Sequence, residues 1–166
     1  MITGIVIPAD HTVPVRVEQL DPVDGDYNRI VGGDLEVVGF ARPAASLYLN
    51  EEGKLNGLPL NPRATAMTWV HNSALRGRDL IVGDVLLVGP VDEYGDDLPV
   101  PQEYLRLLFA ATRFRVEVQR VGACWFPIPH QMGDVDAAYV AAAELARTEA
   151  TVEEIRVVEE LATAGC

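Results

Sequence analysis

The sequence predicts an α+β fold: a mixed or mainly antiparallel sheet with helices packed on one side and a C-terminal helical extension. Strand-like segments follow one another near the N-terminus instead of alternating with helices as repeated βαβ units would. Val85 to Val88 is an apolar run without polar alternation, the pattern of a strand buried on both faces. Asn61-Pro62 and Asp134 stand as start signals before helix-forming segments.

Taken in order, Ile2 to Ile7 and Val13 to Gln19 read as strands joined through Pro8-Ala9-Asp10-His11, and Pro14 places the start of the second at a sheet edge. Tyr27 to Val31 fits a short helical turn, Asp34 to Phe40 a strand and Ala45 to Asn50 another. Asn50-Glu51-Glu52-Gly53 has turn composition, so Lys54 and Leu55 are expected to begin a return strand that Pro59 cuts short. Asn61 as cap and Pro62 at the first helical position start a helix to His71. Asp79 to Pro90 is strand material interrupted at Gly83-Asp84.

Val100-Pro101-Gln102-Glu103 opens a helix reaching about Arg113, with Tyr104, Leu105, Leu107, Leu108 and Ala111 on its apolar face. Arg115 to Val121 alternates as a half-buried strand and is expected to join the sheet. Gly122 to Pro129 reads as an aromatic, proline-rich loop. Asp134 caps an alanine-rich helix to about Arg147. A last helix is expected from Thr151, where Thr151 and Glu154 fit a capping box and Val152, Ile155, Val158 and Leu161 recur every three residues. That stripe is either core or the interface of a homodimer formed through the C-terminal helices.

Three blocks occur in sequence: Val31-Gly32-Gly33-Asp34-Leu35-Glu36-Val37-Val38, then Asn50-Glu51-Glu52-Gly53-Lys54-Leu55 with Gly57-Leu58-Pro59-Leu60-Asn61, then Gly83-Asp84-Val85-Leu86-Leu87-Val88-Gly89. With the opening strand they resemble an uncharacterised domain-of-unknown-function family of bacteriophages, conjugative elements and actinobacteria, over the first two-thirds of the chain. The resemblance implies mobile-element biology and no reaction. It divides the chain into a family domain, 1–113, and a strand plus helical extension, 114–166, packed on the same core.

At 166 residues with 49% hydrophobic content the chain is long and apolar enough to bury one sizeable core. No run approaches the ~18 apolar residues of a membrane span, and Met1-Ile2-Thr3-Gly4-Ile5 lacks the charged start of a signal peptide, so a cytoplasmic location and no membrane partner are expected. Cys124 and Cys166 make no disulfide framework, although a terminal thiol could cross-link dimers in air. Among 13 basic residues only Lys54 is lysine, a signature of GC-rich coding sequence and hence of an actinobacterial or actinophage source. A net charge of −12 argues against direct nucleic-acid binding.

No Ser, His and acid pattern marks a nucleophile, and the scattered histidines His11, His71 and His130 give no metal-ligand spacing, so no metal or cofactor is expected. Cys124 and His130 share one loop, but the local sequence favours a buried thiol and a surface histidine. The candidate ligand-binding residues are Asn50, Glu51, Lys54, Asn56, Asn61 and Arg63, gathered around a turn and a helix start where a small anionic ligand would be stabilised. The function expected first is a non-catalytic phage or mobile-element accessory protein that binds a host protein. The alternatives are a protein that binds or sequesters a nucleotide-like small molecule, and a small hydrolase using the loop carboxylates Asp92, Glu93, Asp96 and Asp97.

Overall fold

The apolar run Val85–Val88 is the middle strand of a five-stranded antiparallel sheet. In the computed structural model, which describes residues 1–161, the order of elements is β1 (Ile2–Ile7), β2 (Arg16–Leu20), α1 (Asp26–Val31), β3 (Leu35–Ala41), β4 (Ala44–Asn50), α2 (Pro62–His71), β5 (Val85–Val88), α3 (Gln102–Leu105), β6 (Phe114–Arg120), β7 (Trp125–Pro127), α4 (Val135–Thr148) and β8 (Val152–Glu159). The large sheet runs β2-β1-β5-β4-β3, and a second, three-stranded antiparallel sheet runs β7-β6-β8. The α+β class is therefore observed, with every strand pairing antiparallel.

Both faces of the large sheet are covered, which is why β5 needs no polar residue. Val85 and Leu87 join Ile5, Ile7, Leu47 and Leu49 in the main core, together with α2, α4 and the inner face of the small sheet. Leu86 and Val88 join Val6 and Leu20 beneath Tyr27, Ile30 and Val31 of α1. The two longer helices α2 and α4 pack against each other on the main-core side. No helix among the described residues is long and apolar enough to cross a membrane.

Five local expectations are corrected. Lys54 and Leu55 start no return strand: residues 51–57 are consecutive turns, begun where the Asn50 side chain accepts the Glu52 amide at 2.9 Å. A return strand would have found no partner, because β4 is already flanked by β3 and β5. The helix after Pro101 ends early, passing at Arg106 into a π-helical turn, Arg106–Ala110, that closes when the Ala111 amide donates to the Arg106 carbonyl at 2.9 Å. β6 does not join the large sheet but centres the small one, and the aromatic, proline-rich loop contributes β7 to its edge.

The fifth correction is the last helix, which is the strand β8, paired along its length with β6. The first step of its three-residue apolar recurrence, Val152 to Ile155, comes from a bulge, while Val158 lies on the opposite face: the register passes from Gln119↔Glu154 to Arg120↔Val152, so Glu153 is the extra residue. Val152 and Ile155 thus share a face at helical spacing, and Val157 follows at strand spacing. The expected pair of C-terminal helices is therefore the single helix α4, capped by the Asp134 side chain accepting the Asp136 amide at 3.1 Å. Leu161 is exposed and outside β8, and Cys166 lies outside the described residues.

Candidate functional site

Of the residues singled out around the turn and helix start, Asn61 and Arg63 come together at the end of β1, and the others stand apart from them. Asn50 is buried, and its amide donates to the Gly32 carbonyl at 3.1 Å. Gly32 ends α1 at φ 76°, and a Cβ on Gly33 would stand 2.5 Å from the Asn50 amide nitrogen, so the glycine pair and Asn50 require one another. Asn61 is fully buried. Its oxygen accepts the Ala64 amide at 3.0 Å, and its amide donates to the carbonyls of Ile7 and Gly83, both at 2.9 Å.

Arg63 folds back from α2 onto the loop after β1, where one guanidinium nitrogen donates to the carbonyls of Pro8, Asp10 and Val13 at 2.6, 3.0 and 2.9 Å. Lys54 pairs with Asp79 at the surface. Glu51 and Asn56 are exposed and bonded here through their backbone amides, to Asp34 and Glu52. Asn61 and Arg63 thus reach the adjoining carbonyls of Ile7 and Pro8 at the end of β1, whereas Asn50 and Lys54 are engaged with two other segments.

A cleft with a volume of about 650 Å³ lies elsewhere, between the β3–β4 turn, α3 with its π-helical turn, and β8. Its floor is built on His71, the last residue of α2. The ring nitrogen Nδ1 lies 2.9 Å from the Arg42 carbonyl and Nε2 lies 2.8 Å from the Tyr139 hydroxyl. A carbonyl can only accept, so Nδ1 carries the proton and Nε2 accepts from Tyr139. Phe40 stacks on the imidazole at 5.1 Å and Tyr104 meets it edge-on at 5.3 Å. Burial among these rings lowers the His71 pKa to about 4, the Arg42 carbonyl bond opposing it. Burial also raises the pKa values of Tyr104 and Tyr139. Tyr104 donates to the Pro43 carbonyl at 2.8 Å.

The rim is charged but internally paired. Arg42 meets Glu154 at 2.6 Å at one end and Arg106 meets Glu159 at 2.7 Å at the other. Arg156 lies 4.0 Å over the Trp125 ring and bonds buried Glu117 at 3.1 Å. Leu107 and Pro43 supply apolar wall. Sequence reasoning missed this site because Phe40, His71, Tyr104 and Tyr139 come from four distant segments, each reading locally as an isolated apolar position. The only local signal was an aromatic at the end of a helix face.

The other chemical candidates are placed as follows. Cys124 is exposed, which corrects the buried thiol, and His130 is exposed as expected. In the acidic loop, Asp92 accepts the amides of Tyr94 and Asp96 at 2.8 and 3.0 Å, and Asp97 accepts the Tyr48 hydroxyl at 3.0 Å. Among the described residues no group of three or more His, Cys, Asp or Glu side chains is gathered as a metal site.

No curated protein and no solved structure matches the chain. The glycine pair locked to Asn50, the Asn61 cap tying α2 to β1, and the Gly83–Gly89 segment that contains β5 all fall within a stretch that a family model recognises. That model, described as domain of unknown function (DUF3846), matches residues 2–112, and the chain belongs to that family.

Proposed function

We propose that this is a non-catalytic accessory protein of a phage or mobile element of actinobacteria, acting in the host cytoplasm by binding a host protein at the cleft. The supporting observation is the state of the cleft's polar groups. His71 is neutral with both nitrogens bonded, Tyr104 and Tyr139 donate to fixed acceptors, and Arg42, Arg106 and Arg156 are each paired with a glutamate. Groups satisfied in this way offer a preorganised surface of aromatic floor and paired rim, the composition of a recognition site rather than of an activated nucleophile or base.

Affinity capture from host lysate tests the reading, with the wild type beside a Leu107→Arg variant that puts a charge into the cleft wall. One host protein recovered in stoichiometric yield with the wild type and lost with the variant is the expected result. No stoichiometric protein from any host lysate, or one retained undiminished by the variant, contradicts it.

A further inference from the structure

One side of the cleft is the free edge of β8. Backbone hydrogen-bonded pairs alternate along an antiparallel ladder, and the Glu160 amide donating to the Arg113 carbonyl at 2.9 Å sets the phase. In the register Arg115↔Val158, Glu117↔Arg156 and Gln119↔Glu154, the backbone groups of Val158, Arg156 and Glu154 face β6. Those of Ile155, Val157 and Glu159 face away from it. The far edge of β6 agrees, because Val116 accepts the Ile128 amide at 2.8 Å and Phe114 exchanges bonds with Met132 at 2.8 and 3.0 Å.

Among the described residues β8 has no strand on its outer side, and Ile155, Val157 and Glu159 all line the cleft. Ile155 and Val157 belong to the main core and line the cleft, and the phase of the ladder turns their backbone groups toward it. The Arg42–Glu154 and Arg106–Glu159 pairs close its two ends. The two glutamates are five residue steps apart, which is about 17 Å of strand.

We propose that this edge takes an extended segment of a partner protein as an added strand of the small sheet, with alternate apolar or aromatic side chains against half-buried His71, Pro43 and Leu107, which the buried Tyr104 and Tyr139 hold in place. The proposal rests on the host-protein reading and supplies its mode of recognition. Backbone bonding to Ile155 and Val157 provides affinity, and the aromatic floor selects the side chains. Charge selects the flanks. Arg42, Arg106 and Arg156 each have a glutamate partner, and Arg76 at the adjoining mouth is engaged by the Trp69 and Val70 carbonyls, whereas Glu103 on the wall and Glu153 at that mouth form no ion pair among the described residues. With a net charge of −12 the chain favours a segment flanked by lysine or arginine and disfavours a second copy of itself.

The test selects binders from a displayed library of random twelve-residue peptides against the full chain, then follows amide hydrogen exchange by NMR with and without the selected peptides. Expected are sequences that alternate apolar and polar residues between basic flanks, and exchange at Ile155 and Val157 slowed about tenfold or more while Arg156 and Val158 barely change. Leu107→Arg is expected to abolish binding. Glu103→Lys with Glu153→Lys, at two exposed positions, is expected to shift selection toward acidic flanks. Selected peptides that leave Ile155 and Val157 exchange unchanged, a library that yields no binder, or flanks indifferent to the double substitution would overturn the proposal. So would protection of both amides in the free protein that fades on dilution, which reports a second copy. A host protein captured at the cleft without protecting these amides leaves the host-binding reading standing and removes strand addition. Peptides that add at β8 when no host protein is captured separate the two readings the other way.

Discussion

His71 is held neutral by its burial among Phe40, Tyr104 and Tyr139, against the opposing pull of the Arg42 carbonyl on its Nδ1 proton, and the pH dependence follows from that. Its pKa is about 4 in the fold against an ordinary 6.5, so between these values the unfolded chain binds more protons and stability falls as the pH drops. The contribution is intact above 6.5, erodes down to about 4 and is flat below. It amounts to at most about 3 kcal/mol, reduced by the solvent that reaches the cleft. Urea unfolding at neutral pH and near pH 4.5 is expected to show a shallower loss for His71→Phe than for the wild type, and equal losses would contradict the assignment. Asn61 carries a different role, tying β1, the turn before β5 and the start of α2 together without exposure to solvent. Asn61→Ala removes the cap and leaves two buried carbonyls without that donor, an expected loss of about 3 kcal/mol in equilibrium unfolding. A loss below about 1 kcal/mol would mean that the junction is not where the fold is fastened.

At the scale of elements, what was legible in the sequence was whatever local chemistry decides. Pro62–His71, Val85–Val88 and the Asp134-capped helix were readable because caps, an unbroken apolar run and helix-forming alanines lie within one segment. β8 was not, since its pattern includes a bulge whose existence depends on β6 lying beside it. Nor did the alternation of β6 reveal which sheet it enters, because period two states that one face is buried and not against what. The same limit hid the cleft: its floor is assembled by topology, and no spacing announces it. In the peptide-free protein, the amides of Arg156 and Val158 are expected to exchange at least tenfold more slowly than those of Ile155 and Val157, which follows from the phase of the β6–β8 ladder. Uniform protection across the strand would contradict that phase. Ile155→Ala, cutting into the core beneath the strand, is expected to cost about 2–5 kcal/mol.

For the whole molecule, one apolar cluster takes residues from β1, β4, β5 and α2 and equally from β6, α4 and β8. A single cooperative calorimetric transition is therefore expected, and two resolved transitions would show that the part beyond residue 112 folds by itself. The cleft joins the same two parts. His71, Pro43 and Tyr104 fall within the matched family stretch, whereas Trp125, Tyr139 and β8 follow it, so the proposed recognition draws on a wall that the family model does not cover. The net charge of −12 acts over the whole surface, and association with a basic partner is expected to slow as ionic strength rises. The account turns on where the partner sits, and a photo-reactive phenylalanine analogue placed in turn at Leu107 and at Lys54 locates it. Cross-linking of the captured host protein from position 107 and not from position 54 is the predicted result. Adducts from position 54 with none from 107 would place recognition at the turn and helix start and contradict the assignment of the cleft.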